Sequence, residues 1–378
     1  MHERTGRKRL AGPGFRRRLW VGVCLMLAVV ITATACAEGG GTTTDDGASG
    51  ELVELTVIHP SGPSLIPLYF QSAVATELGF WEEEGLDVNI VGLSSGSAGA
   101  IQQLVAGNGD VSNESPQVVF DAIEEGFGDE IRIFGTWLYE QPFSVRTYPD
   151  SDIETIEDLA GKTIGVSESA GGEVTLLEAT LKSHGITDYK LLPIGDGSPQ
   201  TIRSLETRSV DAYSTASKDF LGMEAQGIEF KTVSIPEWED LTANIFTVRT
   251  SYLEENHDAV VGYLRGLAKA SLFAYENMDA AVEITAKYQE EGMPDFLVKG
   301  WVEQTLSQSV PLDLIEAGTP FQVAETELEK FLDFYKQAGA IDEDVDIALD
   351  KYIVDDIAKE AGDFDMEAIR ELAASYNG

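Results

Sequence analysis

The chain contains little cysteine, little histidine and few basic residues. Of its 378 residues, two are cysteines, four are histidines and 26 are lysine or arginine, against 65 aspartates and glutamates. Cys24 lies in an N-terminal segment that we expect to be removed, so an intramolecular disulfide is excluded. A formal net charge of −39 disfavours nucleic acid and anionic lipid headgroups as partners. We interpret this charge as a solvated acidic surface that is suited to high salt.

The sequence has no convincing metal or cofactor motif. The four histidines are scattered along the chain: His2, His59, His184 and His257. Asp342, Asp344 and Asp346 begin like a calcium loop, but Ile347 and Ile353 replace its glycine and its closing glutamate. We therefore expect no metal and no cofactor, and a structural role for His59 is favoured over ligand contact.

A long apolar run occurs only near the N-terminus, and residues 1–35 are predicted to be an export signal peptide. Basic residues precede an apolar stretch at 19–32 and the small residues Ala33-Thr34-Ala35. Together with Cys36 these resemble a bacterial lipobox, whose cysteine is lipidated. Ordinary cleavage with free secretion is the alternative, while a spanning anchor would need about 20 apolar residues. We expect an extracytoplasmic protein, anchored to the cell membrane by lipid at Cys36, with residues 36–50 as a flexible tether.

An internal repeat indicates two similar lobes. Gly96-Ser97, Ile101, Leu104 and Asp110 recur, with the same spacing, as Gly197-Ser198, Ile202, Leu205 and Asp211. Each copy follows a short apolar strand, opens an amphipathic helix and ends at a second apolar run, which is typical of a βαβ unit. A Gly-Ser turn at a helix N-terminus offers several donors to a polar ligand, so two such turns would form a cleft.

The wider pattern predicts an α/β protein with two mostly parallel sheets flanked by helices. We assign residues 51–142 and 245–378 to lobe 1, which includes the C-terminal helices, and residues 143–244 to lobe 2. Hinge strands are expected around residues 143–148 and 243–249, where the chain passes between the lobes. One helix is predicted over residues 72–84.

Four segments resemble solute-binding proteins of ABC importers, in the NMT1/THI5-like, SsuA/TauA-like branch shared by sulfonate and thiamine-precursor binders. The segments are GFWEEEGLDV from Gly79, QQLVAGNGDV from Gln102, DLAGKTIGV from Asp158 and SVDA from Ser209. The resemblance covers residues 53 to about 357. It implies a monomer with a bilobal type II periplasmic-binding fold, which closes on a small molecule and delivers it to a membrane permease.

Two sequence features offer enzymatic alternatives to binding. Gly92-Leu93-Ser94-Ser95-Gly96 matches the G-x-S-x-G elbow of serine hydrolases, but it lies early in the chain and the internal repeat explains it as a turn. A THI5-type enzyme, which makes the thiamine pyrimidine, is disfavoured by the export signal and by the missing cysteine cluster. We expect no catalysis, and an anchored sensor with the same fold remains a further alternative.

Candidate ligand residues come from the ends of the strands, where open parallel sheets bind their ligands. In lobe 1 they are Ser61, Ser64, Ser95, Ser97, Asn113, Glu114, Trp137 and Tyr139. In lobe 2 they are Ser169, Gly171, Glu173, Asp196 and Tyr213. The two aromatic residues of lobe 1 are predicted to stack on the ligand, whereas Tyr69 and Phe70 are expected in the core.

Glu173 bears most directly on the ligand. Ala170-Gly171-Gly172-Glu173 resembles the glycine-rich loop of pyrimidine-precursor binders, with one intervening residue absent. A carboxylate that points into the cleft would accept hydrogen bonds from an amino group and repel an anion. A heteroaromatic amine is therefore favoured over sulfonate or nitrate, while a purely helix-stabilising role for Glu173 stays open.

Overall fold

The computed structural model describes residues 51–60, 69–93, 95–167, 169, 171–239, 241–289, 293–342 and 344–376. The predicted signal peptide, Cys36 and the tether lie outside these ranges, as do Ser61, Ser64 and Ser94. Among the described residues, no helix combines the length and the apolar composition that crossing a membrane requires.

Ten strands form two five-stranded sheets in the described part of the chain. The strands are β1 (Val53–His59), β2 (Leu86–Gly92), β3 (Val111–Glu114), β4 (Ile131–Thr136), β5 (Phe143–Thr147), β6 (Thr163–Val166), β7 (Lys190–Pro193), β8 (Ala212–Ala216), β9 (Lys231–Thr232) and β10 (Ile245–Arg249). The first sheet has the order β2-β1-β3-β10-β4 and the second β7-β6-β8-β5-β9.

Helices flank both sheets. They are α1 (Phe70–Glu77), α2 (Phe80–Glu83), α3 (Gly96–Val105), α4 (Pro116–Ala122), α5 (Gly172–Ser183), α6 (Pro199–Glu206), α7 (Ser217–Glu224), α8 (Thr250–Glu255), α9 (His257–Glu276), α10 (Met278–Lys287), α11 (Asp295–Gln308), α12 (Leu312–Glu316), α13 (Glu325–Gln337), α14 (Asp356–Ala361) and α15 (Met366–Ser375). A π-helical turn covers Ile123–Phe127, and short 3₁₀ turns cover Gly128–Glu130, Ile156–Leu159, Pro236–Trp238 and Leu349–Lys351.

Each sheet is parallel except for one strand. β10 is antiparallel to its neighbours β3 and β4, and β5 is antiparallel to β8 and β9. These are the first strands that the chain forms after it passes from one sheet to the other, because β4 precedes β5 and β9 precedes β10. The two mostly parallel sheets and the two connecting strands agree with the predicted α/β architecture.

The two segments that pass between the sheets are bonded to one another. The backbone N–H groups of Trp137 and Leu138 both donate to the carbonyl oxygen of Asn244, at 2.8 and 3.1 Å. Ala243 N–H donates in return to the Leu138 carbonyl, at 3.0 Å. This pairing forms a compact connection about which the sheets could rotate.

The predicted helix over residues 72–84 is interrupted. Gly79 adopts φ 71°, a left-handed conformation that favours glycine, and it separates α1 from α2. The break turns Phe80 and Trp81 into the core. Trp81 packs against Gly266 of α9, where a Cβ would overlap the indole, and its Nε1–H donates to the Tyr263 carbonyl at 3.1 Å.

The C-terminal helices enlarge the core of the first sheet. α9 is buried along most of its length, and its apolar residues share one cluster with residues of β1, β3 and β10. The buried residues of α11, which are Val298, Val302 and Leu306, belong to the same cluster. Through α9 and α11 the chain thus returns to the first sheet after β10.

The internal repeat has a structural explanation at its two aspartates. Asp110 donates its backbone N–H to the Thr56 carbonyl, and its carboxylate accepts the Thr56 N–H at 2.9 Å. Asp211 makes the same pair of bonds with Thr163, whose N–H lies 2.8 Å from the carboxylate. Each aspartate therefore fastens the start of one parallel strand to its neighbour. Asp110 also pairs with Arg249 at 2.7 Å.

We expect Asp110→Ala to destabilise the protein more than Asp211→Ala. Both variants lose a charge-assisted hydrogen bond to a strand N–H, and the first also loses a partly buried ion pair. The free energy of unfolding should fall by about 2–3 kcal/mol for Asp110→Ala and by about 1 kcal/mol for Asp211→Ala. Urea denaturation measures both, and equal losses would contradict this account of Asp110.

Candidate functional site

A cavity of about 740 Å³ lies between the two sheets. Residues from both sheets, from the connecting segments and from α11 surround it. The described lining residues are Pro60, Tyr69, Leu93, Gly96, Ser97, Ser115, Trp137, Leu138, Pro142, Phe143, Ser167, Gly172, Glu173, Asp196, Thr215, Ala216, Lys218, Asp219, Asn244, Trp301, Gln304, Thr305 and Gln308. This volume is within the range of small-molecule sites, about 300–1,000 Å³.

On the first-sheet side, the N-termini of α3 and α4 meet the cavity. Gly96 and Ser97 open α3, and Ser115 is the N-cap of α4. Ser97 Oγ accepts the Ser115 N–H at 3.3 Å. Neither helix carries an acidic residue in its first turn, so this wall offers hydroxyls and the positive ends of helix dipoles.

Two aromatic rings form another part of the wall. The rings of Tyr69 and Trp137 lie 4.6 Å apart, and His59 packs behind Tyr69 with ring centroids 3.7 Å apart. Burial lowers the pKa of His59 to about 3, so this imidazole is neutral and supports the aromatic pair. Tyr69, expected in the core from the sequence, is half-buried and borders the cavity, whereas Phe70 is fully buried.

Glu173 lines the second-sheet side at the first turn of α5. Its side chain is 4% exposed, and the Ser167 hydroxyl donates a hydrogen bond to its carboxylate. A Cβ on Gly171 would overlap this carboxylate, which explains the glycine before the helix. The carboxylate thus occupies the place at a helix N-terminus where an anionic ligand would otherwise bind.

Three further charged residues lie on the same side. Asp196 precedes α6, and Lys218 and Asp219 belong to the first turn of α7. Lys218 Nζ lies 3.0 Å from the Asp219 carboxylate, and Thr215 Oγ1 donates to Asp219 at 2.7 Å. Burial works to lower the pKa of Lys218, but Asp219, Tyr69 and Asp196 outweigh it, so the pKa is raised and the ammonium is retained.

One face of α11 completes the enclosure. Trp301, Gln304, Thr305 and Gln308 recur at helical spacing and line the cavity, on a face next to the apolar face that packs on the first sheet. Sequence reasoning assigned the C-terminal helices to packing and missed these residues, as it missed Lys218 and Asp219. The signal in the sequence that could have identified the α11 residues is that this helix has one apolar stripe and a second stripe of amide and tryptophan side chains.

Of the candidate residues, Ser97, Trp137, Glu173 and Asp196 line the cavity, and the other described ones do not. Ser95 and Ser169 are exposed, Ser95 as the N-cap of α3. Gly171 is buried next to Glu173, and Tyr213 is fully buried with its hydroxyl donating to the Gly195 carbonyl at 2.6 Å.

The remaining three candidates belong to the first-sheet side. Asn113 is buried beside His59 and Tyr69, around a separate cavity of about 20 Å³. Glu114 is fully buried and accepts the Thr247 hydroxyl at 2.7 Å. Tyr139 donates its hydroxyl to the Gln322 carbonyl at 2.6 Å, and burial raises its pKa. Asn113 Oδ1 and one carboxylate oxygen of Glu114, Oε1, are buried without a hydrogen-bond partner among the described residues, and none of the three residues lines the large cavity.

Known proteins share this architecture. A periplasmic aliphatic sulphonate-binding protein, SsuA of Escherichia coli, superposes with a TM-score of 0.62 at 14% identity, covering 81% of this chain and 92% of that one. At this identity the likeness concerns the fold, and it confirms the bilobal type II periplasmic-binding fold.

Two sequence relatives are binding proteins by name. An aliphatic sulfonates-binding protein of Bacillus subtilis is 28% identical over 338 residues, covering 86% of this chain and 92% of the relative. A binding protein of Brucella abortus is 27% identical over an alignment of 228 residues, with coverage of 57% of this chain and 66% of the relative. The match thus spans just under two thirds of the length of the Brucella protein.

The family model described as NMT1/THI5 like matches residues 65–281. That range includes the strands β2 to β10 and the cavity residues Ser97, Trp137, Glu173 and Lys218. It covers more than half of the chain and confirms the resemblance found in the four sequence segments. The chain belongs to the NMT1/THI5-like family.

Proposed function

We propose that this chain is the solute-binding lipoprotein of an ABC importer. It is held outside the cytoplasm by lipid at Cys36, takes up a small organic molecule between its two lobes and passes it to a membrane permease. The support is a cavity enclosed from both sheets, a paired connection between them and relatives that are binding proteins. It works without a cofactor, as a monomer, and is not an enzyme of the THI5 type.

The choice of ligand class depends mainly on the charge of the cavity wall. Among the described lining residues, three are acidic and one is basic, and the basic residue is paired with one of the acids. On the second-sheet side, α5 and α7 carry Glu173 and Asp219 in their first turns. A ligand that presents amino or other N–H donors on this side gains attraction, whereas an anion meets like charge.

The opposite wall favours acceptor atoms on the ligand. The hydroxyls of Ser97 and Ser115 and the acid-free N-termini of α3 and α4 suit a ring nitrogen or an oxygen. Tyr69 and Trp137 offer apolar faces to a planar ring. A heteroaromatic amine of the aminopyrimidine type combines these features, with its amino group toward Glu173.

Sulfonate or nitrate binding is the second candidate. Lys218 places an ammonium group in the cavity, and the relative from Bacillus subtilis is named for aliphatic sulfonates. Against it, the Lys218 charge is matched by Asp219 at 3.0 Å, and Glu173 and Asp196 would add repulsion. The amine is therefore preferred.

Thermal denaturation with a ligand panel tests the choice. At about 100 times its dissociation constant, a ligand held only by the folded form adds about 2.7 kcal/mol, or about 4 °C in Tm for a chain of this size. We expect this shift with 4-aminopyrimidines and a smaller one with the matching pyrimidines that lack the amino group. A shift produced by alkanesulfonates or nitrate, and absent with the amines, would replace the proposal by the second candidate.

A further inference from the structure

α11 is in contact with three parts of the molecule. Its apolar face packs in the core of the first sheet through Val298, Val302 and Leu306. At its C-terminal end, the Gln308 carbonyl accepts the Tyr139 N–H of a connecting segment at 2.8 Å. At its middle, Trp301 Nε1–H donates to the Lys218 carbonyl of α7 at 3.1 Å, which reaches the second sheet.

The bond from Trp301 to Lys218 differs from the other two contacts. The apolar face and Gln308 join α11 to its own lobe and to the connection, whose contacts survive a rotation of the lobes. The Lys218 carbonyl belongs to the second lobe, so this hydrogen bond exists only while the lobes are close. A bond that is present in one of two states shifts the equilibrium toward that state by its own free energy.

We propose that Trp301 is a closure latch for the ligand site. Its N–H fastens α11 to α7 across the cleft, while its indole forms part of the wall around the ligand. The acceptor of this hydrogen bond is the backbone carbonyl of Lys218, a residue that also lines the cavity. This proposal rests on the proposed function in one respect: it assumes that the lobes open and close when a ligand binds. Trp301 acts by positioning α7 and by retaining the ligand.

Distances between the lobes test the latch without any ligand. The natural cysteines, Cys24 and Cys36, are replaced by serine, and spin labels are placed through Glu206→Cys on α6 and Glu283→Cys on α10, both exposed. Pulsed electron paramagnetic resonance then gives the distance distribution. Trp301→Phe keeps an aromatic ring and loses the N–H, so the closed-to-open ratio should fall about three- to tenfold. Trp301→Leu should change it in the same direction.

Trp81→Phe is the matched control. It removes an indole N–H···O=C bond of the same length, 3.1 Å, but both partners lie within the first lobe. Its distance distribution should equal that of the wild type. Identical distributions for wild type and Trp301→Phe, or an equal change in Trp81→Phe, would overturn the latch. Failure of aminopyrimidines to bind would remove the proposed ligand and leave this result unaffected.

Discussion

Replacing Glu173 by glutamine is expected to weaken the binding of a 4-aminopyrimidine by about 10- to 100-fold. The carboxylate is buried at the cavity wall, where a hydrogen bond to a charged group contributes about 1.5–3 kcal/mol. Glutamine has nearly the same shape and retains one acceptor oxygen, but it carries no charge. Isothermal titration calorimetry of the two proteins with the same ligand measures the loss.

The position of Glu173 makes this effect large. Gly171 leaves room for the carboxylate beside the start of α5, and the Ser167 hydroxyl orients it. The group is therefore held in place before a ligand arrives, so little side-chain entropy is lost on binding. The same charge also stabilises α5 by about 0.3–1 kcal/mol, which denaturation of the ligand-free variant would reveal separately.

Glu178→Gln is the control for the loss of one negative charge. Glu178 lies on the same helix, but it is exposed and does not line the cavity. Its affinity for the aminopyrimidine should match that of the wild type. Wild-type affinity in Glu173→Gln would show that Glu173 stabilises α5 and does not contact the ligand. An equal loss of affinity in Glu178→Gln would show that the effect comes from long-range electrostatic attraction.

The second large effect concerns pH. Burial raises the pKa of Glu114 to about 7, although hydrogen bonds from Ser112 and Thr247 favour its carboxylate form. Glu114 ends β3 and pairs in register with Ile245 of β10, in the first sheet next to the connection. An ionised carboxylate at this fully buried position is costly, so the folded protein holds a proton that the unfolded chain would release.

The free energy of unfolding should therefore fall as the pH rises. Below pH 4.5, the ordinary pKa, both states are protonated and Glu114 contributes no penalty. Between pH 4.5 and about 7 the unfolded chain alone ionises, which favours unfolding, and above that range the loss is complete. The shift corresponds to about 3 kcal/mol. Urea denaturation from pH 4.5 to 8 in 1 M salt, which screens surface repulsion, measures it.

Glu114→Gln should remove most of this pH dependence. Asp121 adds a smaller change of the same sign, because burial raises its pKa to about 6, so Asp121→Asn is measured in parallel. Equal slopes for wild type and Glu114→Gln would contradict the assignment. The glutamine variant should also be more stable than the wild type at pH 8, since it avoids a buried negative charge.

Several features of the site could be anticipated from local patterns. The repeat that ends at Asp110 and Asp211 predicted two βαβ units, because apolar periodicity and turn residues act over a few positions. Ser97, Glu173 and Asp196 follow strands, and strand ends in open sheets face the ligand edge. Trp137 lies at the first connecting segment, where a ring can cover that edge.

Other features depended on which surfaces meet. Lys218 and Asp219 look like ordinary charged residues at a helix start, and only the approach of α7 to the cavity gives them a place in it. Asn113 and Glu114 follow the same strand-end rule as Ser115, yet they turn into the protein while Ser115 faces the cavity. Every residue of β3 is buried, so the alternation of side chains along the strand could not distinguish the residues that face the cavity.

By itself, the sequence determined the α/β class, the duplicated unit, the two hinge strands and the export segment as expectations, since each depends on composition or on short-range order. Tertiary structure alone decided that Trp301, Lys218 and Tyr69 surround one cavity. These residues lie more than 80 positions apart along the chain. No local periodicity links such distant segments, and their meeting follows from how α11 and the two sheets bury their apolar faces together.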